Sequence, residues 1–241
     1  MQQHTNELGQ PVGAPVPDWT PPPRPERAPL DGRFCRVEPL HAAAHAASLH
    51  EANRLDADGR TWTYLAYGPF ETLAAYRAWA EAAQRSADPL FFAVVDRRTE
   101  RAVGIASYLR IDPANGSIEI GHLHFSPLLQ RTPAATEALF LLMDQAFRLG
   151  YRRLEWKCNA LNAASCRAAA RLGLRFEGVF RQATVVKGRN RDTAWYAAID
   201  RDWPALRAAF VRWLAPANFT DEDLQIQALS DLTAPLLKDT K

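Results

Sequence analysis

The apolar positions of this 241-residue chain fall into regular order only from Gly32 onward. Arg33–Pro39 alternates polar and apolar residues, the two-residue period of a half-buried strand. His41–Ala52 is alanine-rich and predicts a helix, Leu73–Arg85 predicts a second, and the aromatic stretch Trp62–Phe70 lies between them. Leu90–Val95 and Ala102–Leu109 are apolar strands around the turn-like Asp96–Arg101. Asp112–Gly116 (DPANG) concentrates turn formers, so Ala102–Ile111 and Ser117–Phe125 form a hairpin. Thr132–Leu149 reads as a long helix, with Thr132 as cap, Pro133 at its first position and Gly150 at its end. Arg153–Cys158 is a strand and Ser165–Leu172 a short helix. Phe176–Val186 and Thr193–Ile199 pair around Lys187–Asp192 (KGRNRD), and Asp202–Leu214 is a last helix. The order β-α-α-β-β-β-α-β-α-β-β predicts an α/β fold, one mixed central β-sheet flanked by helices.

Outside that core the pattern weakens. Residues 1–30 are proline-rich (PVGAPVP, PPPRPERAP) and predict an extended N-terminal arm rather than helix or sheet, loosely attached unless Trp19 finds a surface to pack on. Residues 215–241 read as a weakly specified C-terminal tail. Lys+Arg 29 against Asp+Glu 27 leaves a formal net charge of +2, which gives no case for a nucleic-acid partner. Cys35, Cys158 and Cys166 show neither CxxC nor Cys/His metal spacing, so the expectation is no metal and a reduced, cytoplasmic setting. The N-terminus has no basic-then-apolar signal pattern, and no apolar run approaches a membrane span.

The segment Asn162–Gly178, NAASCRAAARLGLRFEG, carries the most information. Asn162 or Ser165 caps its helix, Ala168, Ala169, Leu172 and Leu174 give an apolar face, and Gly173 ends it as a left-handed cap does. It resembles the second acyl-CoA-contacting motif of the Gcn5-related N-acetyltransferase (GNAT) superfamily. The N-x-x-S opening and LGLRFEG close look most like the RimJ/RimL branch, which acetylates protein N-termini and small amines. Upstream, Ser126–Ala138 (SPLLQRTPAATEA) resembles the family's Q/R-x-x-G-x-G/A turn, with Gln130, Arg131, Thr132, Pro133, Ala134 and Ala135 in the motif. A helix start offers unpaired N–H donors and partial positive charge, an anion site suited to the pyrophosphate of acyl-CoA. Arg131 adds a cation for a phosphate oxygen. Pro133 departs from the pattern, which asks for glycine there. The resemblance covers roughly Gly32–Leu214, taken as a GNAT domain over residues 31–214. It implies acetyl-CoA, or another acyl-CoA such as succinyl-CoA, as co-substrate and an amine as acceptor.

Acyl transfer from a thioester to an amine needs a neutral amine, an oxyanion stabiliser and a proton for the departing thiolate. Glu119, mid-strand and opposite in phase to Ile118 and Ile120, is the candidate base, acting directly or through water; the bland alternative is a structural glutamate paired to an arginine. His122 and His124 alternate in phase with the isoleucines, but a bulge would re-aim them, and they read as wall residues with His122 on the substrate side. The tyrosine that many GNAT enzymes use as thiolate partner is replaced by Ala169. The resemblance puts that role on Ser165, with Asn162 on the pantetheine arm and Arg167 in reach of a phosphate. Cys158 and Cys166 lack the constellation that activates thiolates, so direct attack by the amine is expected over a cysteine intermediate. Trp62, Tyr64, Tyr67 and Phe70 form the expected acceptor wall, and the basic Lys187–Asp192 turn is either a solvated turn or a guide for an acidic acceptor. The partners implied are acyl-CoA and an amine, with no nucleic acid or membrane and a homodimer left open. A GNAT-fold protein that holds CoA without catalysis is the rival reading.

Overall fold

Strand alternation builds one eight-stranded sheet. A computed structural model describes residues 4–221 and 224–237. In chain order the elements are β1 (His4–Thr5), β2 (Pro11–Val12), β3 (Leu30–Asp31), β4 (Cys35–Pro39), α1 (Ala42–Asn53), α2 (Leu73–Ala83), β5 (Leu90–Asp96), β6 (Arg101–Asp112), β7 (Ser117–Phe125), α3 (Pro133–Arg148), β8 (Arg153–Asn159), α4 (Ala163–Arg171), β9 (Arg175–Val186), β10 (Arg189–Ile199), α5 (Trp203–Leu214) and α6 (Leu229–Thr233). The sheet runs β3-β4-β5-β6-β7-β8-β10-β9. Every neighbouring pair is antiparallel except β7 and β8, which are parallel. This is the mixed α/β sheet the element order predicts.

Each face of the sheet carries its own core. On one face Tyr108, Ile118, Ile120, Leu154 and Trp156 pack with Phe140, Met143, Phe210 and Leu229 from α3, α5 and α6. On the other, Phe91 and Ile105 pack with Leu49, Tyr76 and Trp62 from α1, α2 and the loop between them. At about 25 cal/mol per Å² of apolar surface removed from water, these two layers supply the main favourable term in folding. Thr132 caps α3 by accepting the Ala135 N–H at 3.2 Å, and Pro133 occupies the first turn, where its missing N–H costs nothing. Glu137 of α3, itself buried, accepts the N–H groups of Arg33, Phe34 and Cys35 at 2.7, 2.6 and 2.9 Å and so fixes the entry to β4. A Cβ on Gly32 would overlap that carboxylate.

The structure departs from the sequence pattern in three places. The arm contains a small hairpin, β1–β2, around Asn6, whose side-chain oxygen accepts the Leu8 and Gln10 N–H groups at 3.0 and 2.9 Å. The arm is also docked: Trp19 Nε1 donates to Ala114 O at 3.2 Å, its ring fills the space beside Gly116, and Arg24 donates to Ile111 O at 3.2 Å. Second, the basic turn shrinks to Lys187–Gly188, whose φ values of 50° and 72° are those of a two-residue hairpin loop, and Arg189–Asp192 belongs to β10. Third, the segment after Leu214 is no tail where it is described. Leu229 and Thr233 are fully buried, and the Arg175 guanidinium donates to the carbonyls of Leu236 and Leu237 at 2.8 and 2.9 Å. Residues 1–3 of the arm and 222–223 and 238–241 of the expected tail lie outside the described residues.

Candidate active site

The parallel pairing of β7 with β8 covers only Ser117–Glu119 against Arg153–Glu155. Beyond those residues β7 stays with β6 and β8 stays with β10, so the two strands part and leave a wedge in the middle of the sheet. Residues on the two strands then face either side of one gap. Glu119, Glu155 and Lys157 point to the α1/α2 face; Trp156 and Cys158 point to the α3/α4 face.

Glu119 sits at the apex of the wedge, 3% exposed. Arg110 Nη1 lies 2.6 Å and Lys157 Nζ 3.2 Å from its Oε2, while Lys157 also contacts Glu155 Oε2 at 2.6 Å and sits 3.8 Å from the centre of the Trp195 ring. Burial raises the Glu119 carboxyl above its ordinary range and outweighs the opposing pull of Arg110 and Lys157. Both the functional and the bland reading of Glu119 are therefore present in one geometry: a base-like carboxyl that is also ion-paired.

A bulge follows. Gly121 pairs with Ser107 and His124 with Ile105, so two residues of β7 face one of β6, and His122 has a left-handed φ of 50°. The extra residue turns both histidines to the Glu119 side. His122 stacks 5.6 Å from Tyr67, and His124 stacks 3.6 Å from Trp62 while its Nε2 lies 2.9 Å from Thr61 Oγ1. Burial pushes both imidazoles down to about 4; for His122 the charges of Arg110 and Arg191 add to that effect, and for His124 Asp56 opposes it.

On the opposite face, Asn162 caps α4 by accepting the Ser165 N–H at 3.1 Å, which decides between the two candidate caps. Ser165 is thereby left inside the first turn, and its Oγ accepts from Trp156 Nε1 at 3.0 Å. Its hydroxyl also hydrogen-bonds the Cys158 sulfur, which opposes the effect of burial on that thiol. Cys158 and Cys166 approach to 3.6 Å between sulfurs, and burial pushes the Cys158 thiol up to about 11, a poor start for a thiolate nucleophile. Arg167 is exposed on α4. The start of α3 lies on this same face: Gln130 Nε2 donates to Phe125 O at 2.7 Å, Ala134 and Ala135 are buried, and the left-handed residue of the loop is Arg131, with φ 60°. Proline at 133 forbids that conformation, and the chain adopts it two residues earlier.

The aromatic segment forms a wall on the Glu119 side. Trp62 is buried and central, with Phe70 at 5.5 Å and Tyr67 at 6.3 Å between ring centres. Tyr64 is partly exposed and donates to Leu161 O at 3.1 Å, tying the wall to the loop before α4. Lys187 at the tip of the β9–β10 hairpin donates to Trp62 O at 2.9 Å, which latches the hairpin across the wall. Sequence reasoning missed Arg110, Trp156, Lys157 and Trp195, and met Arg191 only as part of the basic Lys187–Asp192 turn. Only Lys157 left a local signal, in the alternation of Glu155 and Lys157 with Leu154, Trp156 and Cys158.

Comparison with known proteins agrees with this architecture. Residues 36–175 match the acetyltransferase (GNAT) domain family, so the chain belongs to the GNAT acetyltransferases. A GCN5-related N-acetyltransferase from Brucella melitensis is 48% identical over 91% of this chain and 100% of its own, with a TM-score of 0.88. A GNAT-family protein from Chromobacterium violaceum is 41% identical over 81% of this chain and 98% of its own, with a TM-score of 0.75. RimL, the ribosomal L7/L12 alpha-N-protein acetyltransferase, shares the fold at 21% identity over 71% of this chain and 93% of its own, with a TM-score of 0.61. No curated protein gives a significant match. Enzymes of this family use acetyl-CoA as co-substrate.

Proposed function

We propose that the protein transfers an acyl group, acetyl by default, from acyl-CoA to a primary amine, either a protein or peptide N-terminus or a small amine. The observation that carries this reading is the Asn162–Ser165 turn, which holds the Ser165 hydroxyl between the Trp156 N–H and the Cys158 sulfur, across the wedge from Glu119. The two faces of the sheet divide the work. The α3/α4 face offers the phosphate-binding helix start at Thr132–Ala135 and the Asn162–Ser165 turn; the α1/α2 face offers the aromatic wall and Glu119. At the start of α3 Pro133 has no N–H, the Thr132 N–H is bonded to Leu129 O at 3.3 Å and the Ala135 N–H is taken by the Thr132 cap, so the helix offers a phosphate its positive end and the Ala134 amide. Acyl-CoA supplies an activated carbonyl, and amine and thioester meet in the gap, where proximity contributes much of the rate. Glu119 accepts the proton of the attacking amine, directly or through a water. Ser165 gives its proton to the departing sulfur as the C–S bond breaks.

Thiol release from acetyl-CoA over a panel of amines and peptides tests the reading. Turnover that falls in Glu119→Gln and in Ser165→Ala, with CoA binding retained, supports both roles. The rival reading, CoA binding without turnover, draws on the clamping of Glu119 by two cations and predicts no thiol release with any amine.

A further inference from the structure

The charges in the wedge nearly cancel. Arg110, Lys157 and Arg153 meet Glu119 and Glu155, and Arg153 also pairs with Glu177, three cations against three carboxylates. Arg191 is left over. Among the described residues its guanidinium has neither an ion pair nor a hydrogen-bond partner, and its Nε is shut off from solvent. A partly buried cation without an anion costs free energy, and proteins keep such a group where a ligand supplies the counter-charge.

Its position says which ligand. Trp195 faces Lys157 on the Glu119 side of the sheet, and Arg191 lies four residues earlier on β10, just before a shift in the pairing of β10 with β9. Its charge is felt by His122, on the far lip of the wedge and stacked on Tyr67 of the aromatic wall, and by Cys158 across the gap, so the guanidinium stands at the gap itself. The phosphate-binding start of α3 lies on the opposite face. The hairpin that carries Arg191 is held over the wall by the Lys187 contact to Trp62. The same uncharged aromatic surroundings that wall the site strengthen any ion pair formed there.

We propose that Arg191 binds an anionic group, a carboxylate or a phosphate, carried by the acceptor within a few bonds of its amine, which makes the acceptors acid-bearing amines. This rests on the acyl-transfer reading above. The guanidinium fork matches both oxyanions in two-point contact, and it holds the amine beside Glu119 by its neighbour rather than by its nitrogen.

Phenethylamine, phenylalanine and the aminophosphonate analogue of phenylalanine differ only in the acid on one carbon. With saturating acetyl-CoA, wild type acetylates one or both acids on the order of 10–100-fold better in kcat/KM than the plain amine, the discrimination of one charge-assisted contact. The phosphonate arm separates a phosphate site from a carboxylate site. In Arg191→Met that ratio falls to about one and the KM for acetyl-CoA does not rise; in Arg191→Glu it inverts. Equal kcat/KM for acid and plain amine in wild type overturns the proposal. So does a Met variant that loses all three substrates alike or raises the KM for acetyl-CoA, which would place Arg191 on the cofactor. If no amine is turned over, the acyl-transfer reading fails by itself. Calorimetry with N-acetylphenylalanine and N-acetylphenethylamine then decides the Arg191 site: tighter binding of the acid, lost in Arg191→Met, upholds it, and no such difference overturns it.

Discussion

His124 shows how burial fixes chemistry at single residues. Its ring, 2% exposed, stacks on Trp62, and its folded-state pKa of about 4 lies below the free value of 6.5. A depressed pKa means that the fold favours the neutral ring. The stability this gives is complete above pH 6.5 and is lost as pH falls towards 4. The shift corresponds to about 3 kcal/mol at the acid end. Urea unfolding followed from pH 7 to 4.5 should therefore show a steep loss of stability, and His124→Phe, which keeps the stack, should flatten part of that slope. An unchanged slope in the variant would place the acid sensitivity elsewhere. His122, shifted the same way, accounts for a slope that persists in part. The sequence placed both histidines on the wall and flagged that a bulge would undo their phase. It could not show that the bulge is there, because the extra residue exists only relative to β6.

Elements are held by contacts distant in sequence, and these were the least legible. The bounds of β7 and the Thr132 cap of α3 could be read locally, since alternation and capping act within a few residues. Trp156, Lys157 and Arg191 gain their roles only when β8 and β10 are laid beside β7, a pairing that joins residues more than thirty apart. The six-residue basic turn was misread because charge resembles exposure, whereas the Lys187–Gly188 pair alone makes the reversal. The Glu137 clamp on the Arg33–Cys35 amides belongs to the same class. Gly32→Ala should push that carboxylate out of its three hydrogen bonds and cost about 2–3 kcal/mol, read as a shift in the denaturant midpoint. A midpoint within experimental error of wild type would mean that the clamp contributes little.

Across the described residues, the arm from Trp19 onward and the segment that ends at Leu237 pack on the domain. Trp19 docks where β7 and β8 begin, against Ala114 and Gly116, and the wedge opens at the other end of those strands. Deleting residues 1–28 should remove about 2 kcal/mol, or roughly 4–8 °C of thermal stability for a domain of this size, with the KM for acetyl-CoA unchanged. A raised KM would instead put the arm on the cofactor. The larger claim is that one sheet, split between β7 and β8, brings amine and thioester from opposite faces to a single gap, with Ser165 as the proton donor. Steady-state thiol release by Ser165→Ala, alongside calorimetric binding of CoA, tests it most directly. The account predicts a fall in kcat on the order of 100-fold with CoA affinity preserved; a variant that turns over at the wild-type rate would contradict it.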